Sequence, residues 1–466
     1  MLDLVAAAGR ITGSPRPNPQ AEEKIMKRIS GKLLVFGALS LLCGGVWLLY
    51  SQSAAPAGPI KTEIRKENGR FRLYRGGQPY FIKGVVYVGD MGGKFPLKDV
   101  AAHGANSIRS SGGLNVLDEA HRLGLSVLVN LPMRMESVHK FDYSDEKAVR
   151  EQFEKVKERV LQLKDHPAVL AWSIGNELSV GYTNKAVWNA VNDVARMIHE
   201  VDPLHPTMTV IGDGSINAGD ILEIKKRAPD LDMLGINYYM HVETVPAKIR
   251  HYDWDKPYVL TEWGPSGDWQ VPRTEWKASI EETSTEKAQR YLERYQNVVL
   301  KDAERCLGSY AFIWGWRHER TQTWYGMHLE TGERTEAVNV MQFLWTGQWP
   351  ANRAPRIEDL RIEGRRAQDN VYLKPAGRYR AAVQASDPDQ DPIRYRWEIL
   401  AEVARAGYAG MGEKRSAPMP ELIEKGDGPE LVFKAPAQEG AYRLFVFLID
   451  GKGNGATANI PFYVRP

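Results

Sequence analysis

The chain has 466 residues, of which 43% are hydrophobic and 26% charged, and its formal net charge is +3. This composition excludes a disordered chain, a collagen-like fibre and a protein with many membrane spans. The near balance of acidic and basic residues gives no electrostatic reason to expect a nucleic acid partner. The only two cysteines, Cys43 and Cys306, are too few for a disulfide framework, and no Cys/His cluster predicts a zinc site.

An uncharged segment of 18 residues, 33–50, follows several basic residues and precedes a stretch of small ones at 51–57. This order is typical of a signal peptide or an uncleaved signal anchor. As a helix the segment is about 27 Å long, just enough to cross a bilayer. We therefore expect residues 1–57 to be a cytoplasmic n-region with a signal peptide or anchor. The rest of the chain is expected to be extracytoplasmic (periplasmic or at the cell surface), either membrane-anchored or secreted.

A hairpin over 71–82, with its turn at Gly76-Gly77, precedes a series of short apolar runs that alternate with longer amphipathic segments. This alternation predicts βα units and a parallel sheet. Eight units in about 260 residues favour a (β/α)₈ TIM barrel over an open doubly wound sheet. No Gly-rich phosphate loop follows the first run, which further disfavours the open sheet. The runs lie at 81–88, 105–110, 125–132, 169–175, 207–212, 233–239, 257–263 and 308–316.

The pattern changes after a Pro-rich, linker-like segment at 349–355. Short alternating runs separated by turn residues then predict a β-sandwich of about 100 residues. The predicted fold class is thus α/β, a TIM barrel followed by a C-terminal β-sandwich. The segment Asp387–Asp391 resembles a loop of Ig-like and PKD-like domains, and it is either a calcium site or a solvated acidic turn. The predicted domains are residues 1–57 (n-region and signal peptide or anchor), 58–348 (barrel with its hairpin) and 349–466 (Ig/PKD-like sandwich).

Two glutamates stand at the ends of otherwise apolar runs. Glu177 follows the fourth run, and Glu262 is near the end of the seventh. A glutamate among buried residues is costly unless it has a partner or a task. The ends of the strands form the active site in barrel enzymes. Two such glutamates at one barrel mouth are the pair of carboxyl groups that glycoside hydrolysis needs.

The segments 174–177 (IGNE) and 260–264 (LTEWG) resemble the acid/base and nucleophile strands of clan A retaining glycoside hydrolases. The barrel domain of glycoside hydrolase family 2 is the most similar, because 81–85 (FIKGV) and 106–109 (NSIR) resemble its first two strands. The resemblance covers residues 70–345. Family 2 enzymes usually carry a jelly-roll and an Ig-like domain before the barrel, whereas a hairpin stands there in this sequence. The family's substrate preferences are therefore not carried over. The opening strand also resembles that of fungal β-1,3-glucanosyltransferases.

The resemblance and the side-chain chemistry imply distinct roles for the two glutamates. Glu177 is expected to be the general acid/base, with a pKa raised by burial and by the charge of Glu262. Glu262 is expected to be the nucleophile, kept ionised by hydrogen-bond donors. Arg109, at the end of the second strand, is its expected charge partner, and Tyr239 can donate its hydroxyl. Period-two alternation places Asn237 on the same strand face as Tyr239.

Three further residues complete the predicted substrate site. The resemblance implies that the Asn176 amide bonds the 2-hydroxyl of the sugar. Trp263 is a candidate for stacking on a sugar ring, and Trp314 on the eighth strand is expected to form the floor of the subsite.

The sequence thus predicts an exported retaining glycoside hydrolase that acts on β-linked glycans by double displacement through a glycosyl-enzyme intermediate. Its partner is a polysaccharide or oligosaccharide substrate, with β-glucan the first choice. The membrane is a second partner if the segment 33–50 is not cleaved. The two carboxyl groups need no cofactor and no metal. The alternatives are a β-glucan transglycosylase, a non-catalytic carbohydrate-binding protein of the cell envelope, and an anchored structural scaffold.

Overall fold

A computed structural model describes residues 58–217, 219–403, 407–408 and 413–466. The predicted signal peptide or anchor, 33–50, lies outside these residues. Across the described ranges, no helix combines the length and the apolar character needed to cross a membrane.

Three antiparallel strands precede the barrel: β1 (Thr62–Glu67), β2 (Arg70–Arg75) and β3 (Gln78–Tyr80). The predicted hairpin is the β2–β3 pair, while β1 was not predicted. Phe71 and Leu73 of β2 pack in one cluster with residues inside the barrel. The backbone N–H of Thr62 donates to the carbonyl oxygen of Leu204, just before a barrel strand. The small sheet therefore covers the N-terminal end of the barrel and leaves the opposite end for the site.

Eight parallel strands close into a barrel, each overlapping one of the predicted apolar runs. They follow one another around the barrel in sequence order, and the last strand pairs with the first. The predicted (β/α)₈ fold class is confirmed. The strands are β4 (Ile82–Tyr87), β5 (Ser107–Ser110), β6 (Ser126–Leu131), β7 (Val169–Ile174), β8 (Thr207–Ile211), β9 (Met233–Asn237), β10 (Tyr258–Trp263) and β11 (Cys306–Trp314).

Helices surround the barrel, and two of them begin with side-chain caps. The Asp145 carboxylate accepts from two backbone N–H groups and begins α4. Thr283 and Glu286 form a capping box at the start of α9, which continues as a π-helical turn over Tyr295–Leu300. The helices are α1 (Leu97–Ala102), α2 (Leu114–Arg122), α3 (Glu136–His139), α4 (Glu146–Leu163), α5 (Val187–Val201), α6 (Asp213–Asn217), α7 (Asp220–Arg227), α8 (Val245–His251), α9 (Ser284–Arg294) and α10 (Glu336–Thr346), with 3₁₀ turns at Val242–Thr244, Ala367–Asp369 and Pro420–Leu422.

Two four-stranded sheets follow the barrel and share one hydrophobic core. All paired strands are antiparallel except β13 and β19, so the predicted C-terminal β-sandwich is present. In the predicted acidic loop, Asp387 and Asp391 lie with Asp450 so that one carboxylate oxygen of each is within 4.8 Å of the others. The sheets have the orders β12-β14-β17-β16 and β13-β19-β18-β15, with β12 (Arg356–Ile362), β13 (Val371–Leu373), β14 (Arg378–Ser386), β15 (Arg394–Ala401), β16 (Ile423–Lys425), β17 (Glu430–Lys434), β18 (Gly440–Ile449) and β19 (Gly455–Val464).

A buried polar contact joins the sandwich to the segment that leads into α9. The Glu281 carboxylate accepts from Lys287 Nζ at 2.5 Å and from Asn459 Nδ2 of β19 at 2.8 Å. Arg443 of β18 donates to the carbonyl oxygen of Ser279. Burial opposes the charge of Glu281, but Lys287 and Arg443 hold its pKa below the usual range. The barrel and the sandwich therefore meet around one buried, compensated carboxylate.

This arrangement predicts that two single lysine substitutions will reduce the free energy of unfolding by different amounts. Lys287→Met leaves the Glu281 carboxylate buried without its ion partner, so we expect the free energy of unfolding to fall by about 3–5 kcal/mol. Lys185→Met is the matched control, because Lys185 pairs with Glu223 on the surface, where a pair contributes about 0–1 kcal/mol. Chemical denaturation of the two variants measures the difference. Equal losses would contradict a structural role for the buried pair.

Candidate active site

Glu177 is presented at the C-terminal end of β7 by a tight turn of the backbone. Gly175 and Glu177 both have positive φ, 73° and 50°. A side chain at Gly175 would meet Leu178, because a Cβ there would lie 2.6 Å from its Cδ1. The Glu177 N–H donates to the carbonyl oxygen of Val210 at 2.9 Å, which ties the turn to β8. A non-glycine residue in the left-handed region is unfavourable and persists only when its surroundings hold it. Here the hydrogen bond to β8 fixes the carboxyl group at the barrel mouth.

The Glu177 carboxyl group has two hydrogen-bond donors. Asn237 Nδ2 donates to Oε1 at 2.9 Å, and the Tyr408 hydroxyl donates to Oε2 at 2.5 Å. Burial and the charge of Glu262 raise the pKa of Glu177 to about 7, although both donors oppose the shift. A carboxyl group with such a pKa can give and take a proton near neutral pH. Glu177 is therefore buried, and its pKa is raised in the direction that the sequence analysis expects.

Glu262 has a different environment from that of Glu177. Arg109 Nη1 donates to its Oε1 at 2.7 Å, and the Tyr239 hydroxyl donates to its Oε2 at 2.8 Å. The Arg109 side chain is only 2% exposed, so solvent screens this ion pair little. Two donors, one of them a full positive charge, stabilise the carboxylate at Glu262. Arg109 and Tyr239 thus stand where the sequence predicted them.

Arg109 is the centre of the polar network at the mouth. Its Nε donates to Asn130 Oδ1 at 3.0 Å, and its Nη2 donates to Asn176 Oδ1 at 2.6 Å. Its Nη1 also donates to the carbonyl oxygen of Thr261. Asn176 is therefore held beside the two glutamates, as predicted. Asn130 was not predicted, although a polar residue near the end of the third apolar run was the available signal.

The side-chain orientation of Asn237 follows from its neighbours. Thr261 Oγ1 donates to Asn237 Oδ1 at 2.9 Å, so the amide nitrogen must face Glu177. The adjacent Tyr238 lies on the opposite strand face, where its hydroxyl contacts Lys248 of α8. The predicted alternation along β9 therefore holds. Thr261 was missed, because a threonine in an apolar run is read as an ordinary strand residue.

The predictions for Trp263 and Trp314 are wrong, since both side chains are fully buried outside the barrel. Trp263 packs on Tyr291 and Tyr295. Adjacent strand residues point to opposite faces, so Glu262 facing inward sends Trp263 outward. Ala311 of β11 pairs with Val85 of β4, and Trp314 pairs with Tyr87, so β11 has one residue more than β4 between these two pairs. This bulge reverses the alternation and turns Trp314 outward, away from any sugar.

An aromatic cluster beside Glu262 offers a more suitable ring. Tyr239 makes edge contacts with Trp269, Phe312 and Tyr325, with centroids 5.7–5.9 Å apart. Trp269 is 40% exposed, and its ring lies in the segment that follows β10. The sequence signal was its position just beyond the strand that carries Glu262. An exposed indole adjoining a polar site can cover one face of a bound sugar.

A third carboxyl group lies near Glu262. Burial raises the pKa of Glu319 to about 7, the charges of Asp268 and Glu262 act in the same direction, and Arg317 opposes them. Arg317 Nε lies 3.0 Å from Glu319 Oε2. Glu319 lies in the segment that follows β11 and adds a third carboxyl group beside Glu177 and Glu262. Such a site suits reactions in which a carboxyl group exchanges a proton.

Comparison with known proteins gives a family match and several similar solved structures. Residues 107–323 match the model of the glycosyl hydrolases family 2 TIM barrel domain. Similar solved structures include an FMN-binding β-glucuronidase from Facaelibacterium prausnitzii (15% identity, 87% of this chain, 59% of that chain, TM-score 0.48). Another is a Bacteroides uniformis β-glucuronidase (16% identity, 87% of this chain, 48% of that chain, TM-score 0.48). A third is a Thermobacillus composti GH10 xylanase (14% identity, 57% of this chain, 96% of that chain, TM-score 0.43).

The chain spans 48–59% of the length of the two glucuronidases. No curated protein sequence matches the chain. The family match falls on β5 to β11 and includes both glutamates. Over residues 107–323, the barrel of this chain is therefore similar to the TIM barrel domain of glycosyl hydrolases family 2.

Proposed function

We propose that the protein is a retaining glycoside hydrolase for β-linked glycans, with Glu177 as general acid/base and Glu262 as nucleophile. The observation that carries this proposal is the unequal environment of two carboxyl groups at one barrel mouth. Burial raises the pKa of Glu177 to about 7, whereas Arg109 and Tyr239 stabilise the carboxylate of Glu262. One group is thus suited to hold a proton and the other to attack as an anion.

In the first step, a Glu262 oxygen bonds to the anomeric carbon as the glycosidic C–O bond breaks. The bonding electrons pass to the leaving oxygen, which takes the proton from Glu177. In the second step, Glu177 takes a proton from water, and the water oxygen displaces Glu262 from the anomeric carbon. Two inversions give net retention, and both glutamates return to their starting protonation states.

Two further points concern the molecule that accepts the sugar and the glycan that is cleaved. Water as acceptor gives hydrolysis, whereas a second sugar gives the transglycosylation that the resemblance to glucanosyltransferases suggests. β-Glucan is the first substrate to examine, and the exposed ring of Trp269 supports a sugar-binding mouth. A purely carbohydrate-binding role is disfavoured, because such a protein has no need of a nucleophile held by a buried arginine.

We also propose that the protein acts outside the cytoplasm, attached to the membrane or released from it. This rests on the sequence of residues 33–50, with basic residues before it and small residues after it. The substrate proposed above, a glycan of the envelope or the surroundings, fits that location.

Substitution of each glutamate predicts a distinct product. On natural glycans, Glu177→Ala and Glu262→Ala should each reduce turnover by about 10³-fold or more. On an activated aryl β-glycoside, Glu177→Ala still forms the glycosyl-enzyme, and added azide should yield the β-glycosyl azide. Glu262→Ala forms no intermediate, so azide should attack directly and yield the α-glycosyl azide. NMR of the products assigns the anomers.

The matched control for this experiment is Glu243→Ala, because Glu243 is exposed and pairs only with His241 in the described structure. It should retain wild-type turnover and give no azide product. Exchange of the two anomers would exchange the assigned roles. Full activity of both active-site variants would remove the glycosidase proposal.

The location is tested with a reporter enzyme that is active only outside the cytoplasm. Fusion of the reporter after residue 466 should give an active reporter in a bacterial host, and deletion of residues 33–50 should abolish its activity. Reporter activity that survives the deletion, or that is absent from the intact fusion, would overturn the proposed location.

A further inference from the structure

One residue of the active site comes from outside the barrel. Tyr408 follows β15 of the sandwich in sequence, yet its ring packs against the barrel's hydrophobic core. Its hydroxyl donates to Glu177 Oε2 at 2.5 Å, and Asn176 Nδ2 donates to the same hydroxyl at 3.5 Å. The sandwich thus contacts the general acid/base directly.

Described residues on both sides of Tyr408 are fixed to one barrel residue. Arg320, in the segment that follows β11, donates through its backbone N–H to Glu413 Oε2 at 2.6 Å. Its side chain donates to Glu402 Oε1 at 3.4 Å. Arg443 of β18, only 2% exposed, binds both oxygens of Glu402 at 2.9 Å. Glu402 and Glu413, which lie before and after Tyr408 in sequence, are therefore both bound to Arg320 of the barrel.

The hydrogen bonds also identify the oxygen of Glu177 that carries the acidic proton. Oε1 accepts from Asn237 Nδ2, whose orientation Thr261 fixes, so a proton on Oε1 would oppose another donor. The proton of the neutral acid is therefore placed on Oε2, because the Tyr408 hydroxyl can turn and accept from it, whereas the Asn237 amide nitrogen can only donate. Tyr408 contacts this same oxygen, so its hydroxyl lies where the proton leaves during the first step.

We propose that Tyr408 is a positioning residue for the reaction, which holds Oε2 of Glu177 toward the leaving group and stabilises the carboxylate formed after proton transfer. This inference rests on the proposed function of Glu177. It assigns the C-terminal sandwich a part in the active site, and it places the Tyr408 ring on the side of the site that receives the leaving group.

The hydroxyl and the ring of Tyr408 change the pKa of Glu177 in opposite directions. Donation from the hydroxyl favours the carboxylate, whereas the ring excludes water and favours the neutral acid. The other groups that face Glu177 are Asn237, the negative charges of Glu262 and Asp213, and the Arg109–Tyr239 pair on Glu262. These stay in place when only Tyr408 is changed.

Two substitutions in the full chain separate these effects. Tyr408→Phe keeps the ring and removes the donor, so the pKa of Glu177 should rise, and the basic limb of kcat/KM should move up by about one pH unit. Tyr408→Ala also admits water, so its basic limb should lie below that of Tyr408→Phe. Turnover of Tyr408→Phe should fall about tenfold on glycosides with poor leaving groups and change little on activated aryl glycosides.

The matched control is Tyr463→Phe, because among the described residues the Tyr463 hydroxyl hydrogen-bonds only to the exposed Glu439. Its pH profile should equal that of the wild type. The titration of Glu177 is also read without turnover, from the carboxyl ¹³C resonance that Glu177→Gln removes. Tyr408→Phe should raise the midpoint of this titration.

An unchanged basic limb and an unchanged ¹³C midpoint in Tyr408→Phe would overturn the positioning role. Absence of any glycosidase activity in the wild type, together with a raised ¹³C midpoint in Tyr408→Phe, would overturn the proposed function but keep the contact. The two failures are therefore distinguishable.

Discussion

Two carboxyl groups near each other in a partly buried site cannot both be charged without compensation, and this constraint organises the barrel mouth. Arg109 provides the compensation for one of them. Its guanidinium group binds Glu262 and Asn176 and is itself held by Asn130. Because the cation is buried and bound to Glu262, Glu177 is left with neutral donors, and burial raises its pKa. The chemical difference between the glutamates thus follows from where one arginine lies.

The barrel supplies the geometry for this difference. Parallel strands end at the same rim, so side chains from β5, β6, β7, β9 and β10 converge although they are distant in sequence. The N-terminal sheet covers the opposite end. The sandwich adds a further element. Its buried contact around Glu281, the Glu402–Arg320 ion pair and the hydrogen bond from the Arg320 backbone N–H to Glu413 hold Tyr408 against Glu177. The site is therefore a product of both folded parts of the chain.

The features that depend on local pattern could be predicted from the sequence. Apolar runs that alternate with amphipathic segments predicted all eight barrel strands, and the polar residues at their ends predicted Glu177, Glu262 and Arg109. Alternation along β9 gave Asn237 and Tyr239. Where the pattern is interrupted, prediction fails: the bulge on β11 turns Trp314 outward. Strands β13 and β16 were not predicted, because three residues each are too few to show an alternating pattern. Strand β12 was not predicted either, because it lies at the edge of its sheet and is rich in charged residues, as edge strands commonly are.

Tyr408 shows the limit of sequence reasoning, because its role depends on how the sandwich docks on the barrel. No periodicity or motif joins it to Glu177, 231 positions earlier. The long-range contact is fixed by charges at Glu402 and Glu413, which resemble ordinary surface residues in the sequence. Asn130 and Thr261 are intermediate cases, since they lie on predicted strands and only their partners were unknown.

The central claim is that Glu262 forms a covalent bond with the sugar, and trapping that bond tests it most directly. A 2-deoxy-2-fluoro-β-glucoside with a good leaving group slows hydrolysis of the intermediate more than its formation. Mass spectrometry of the treated protein should show one added sugar per chain, and peptide mapping should place it on Glu262. A sugar attached to another residue, or no adduct on a protein that cleaves the parent aryl glycoside, would contradict the account.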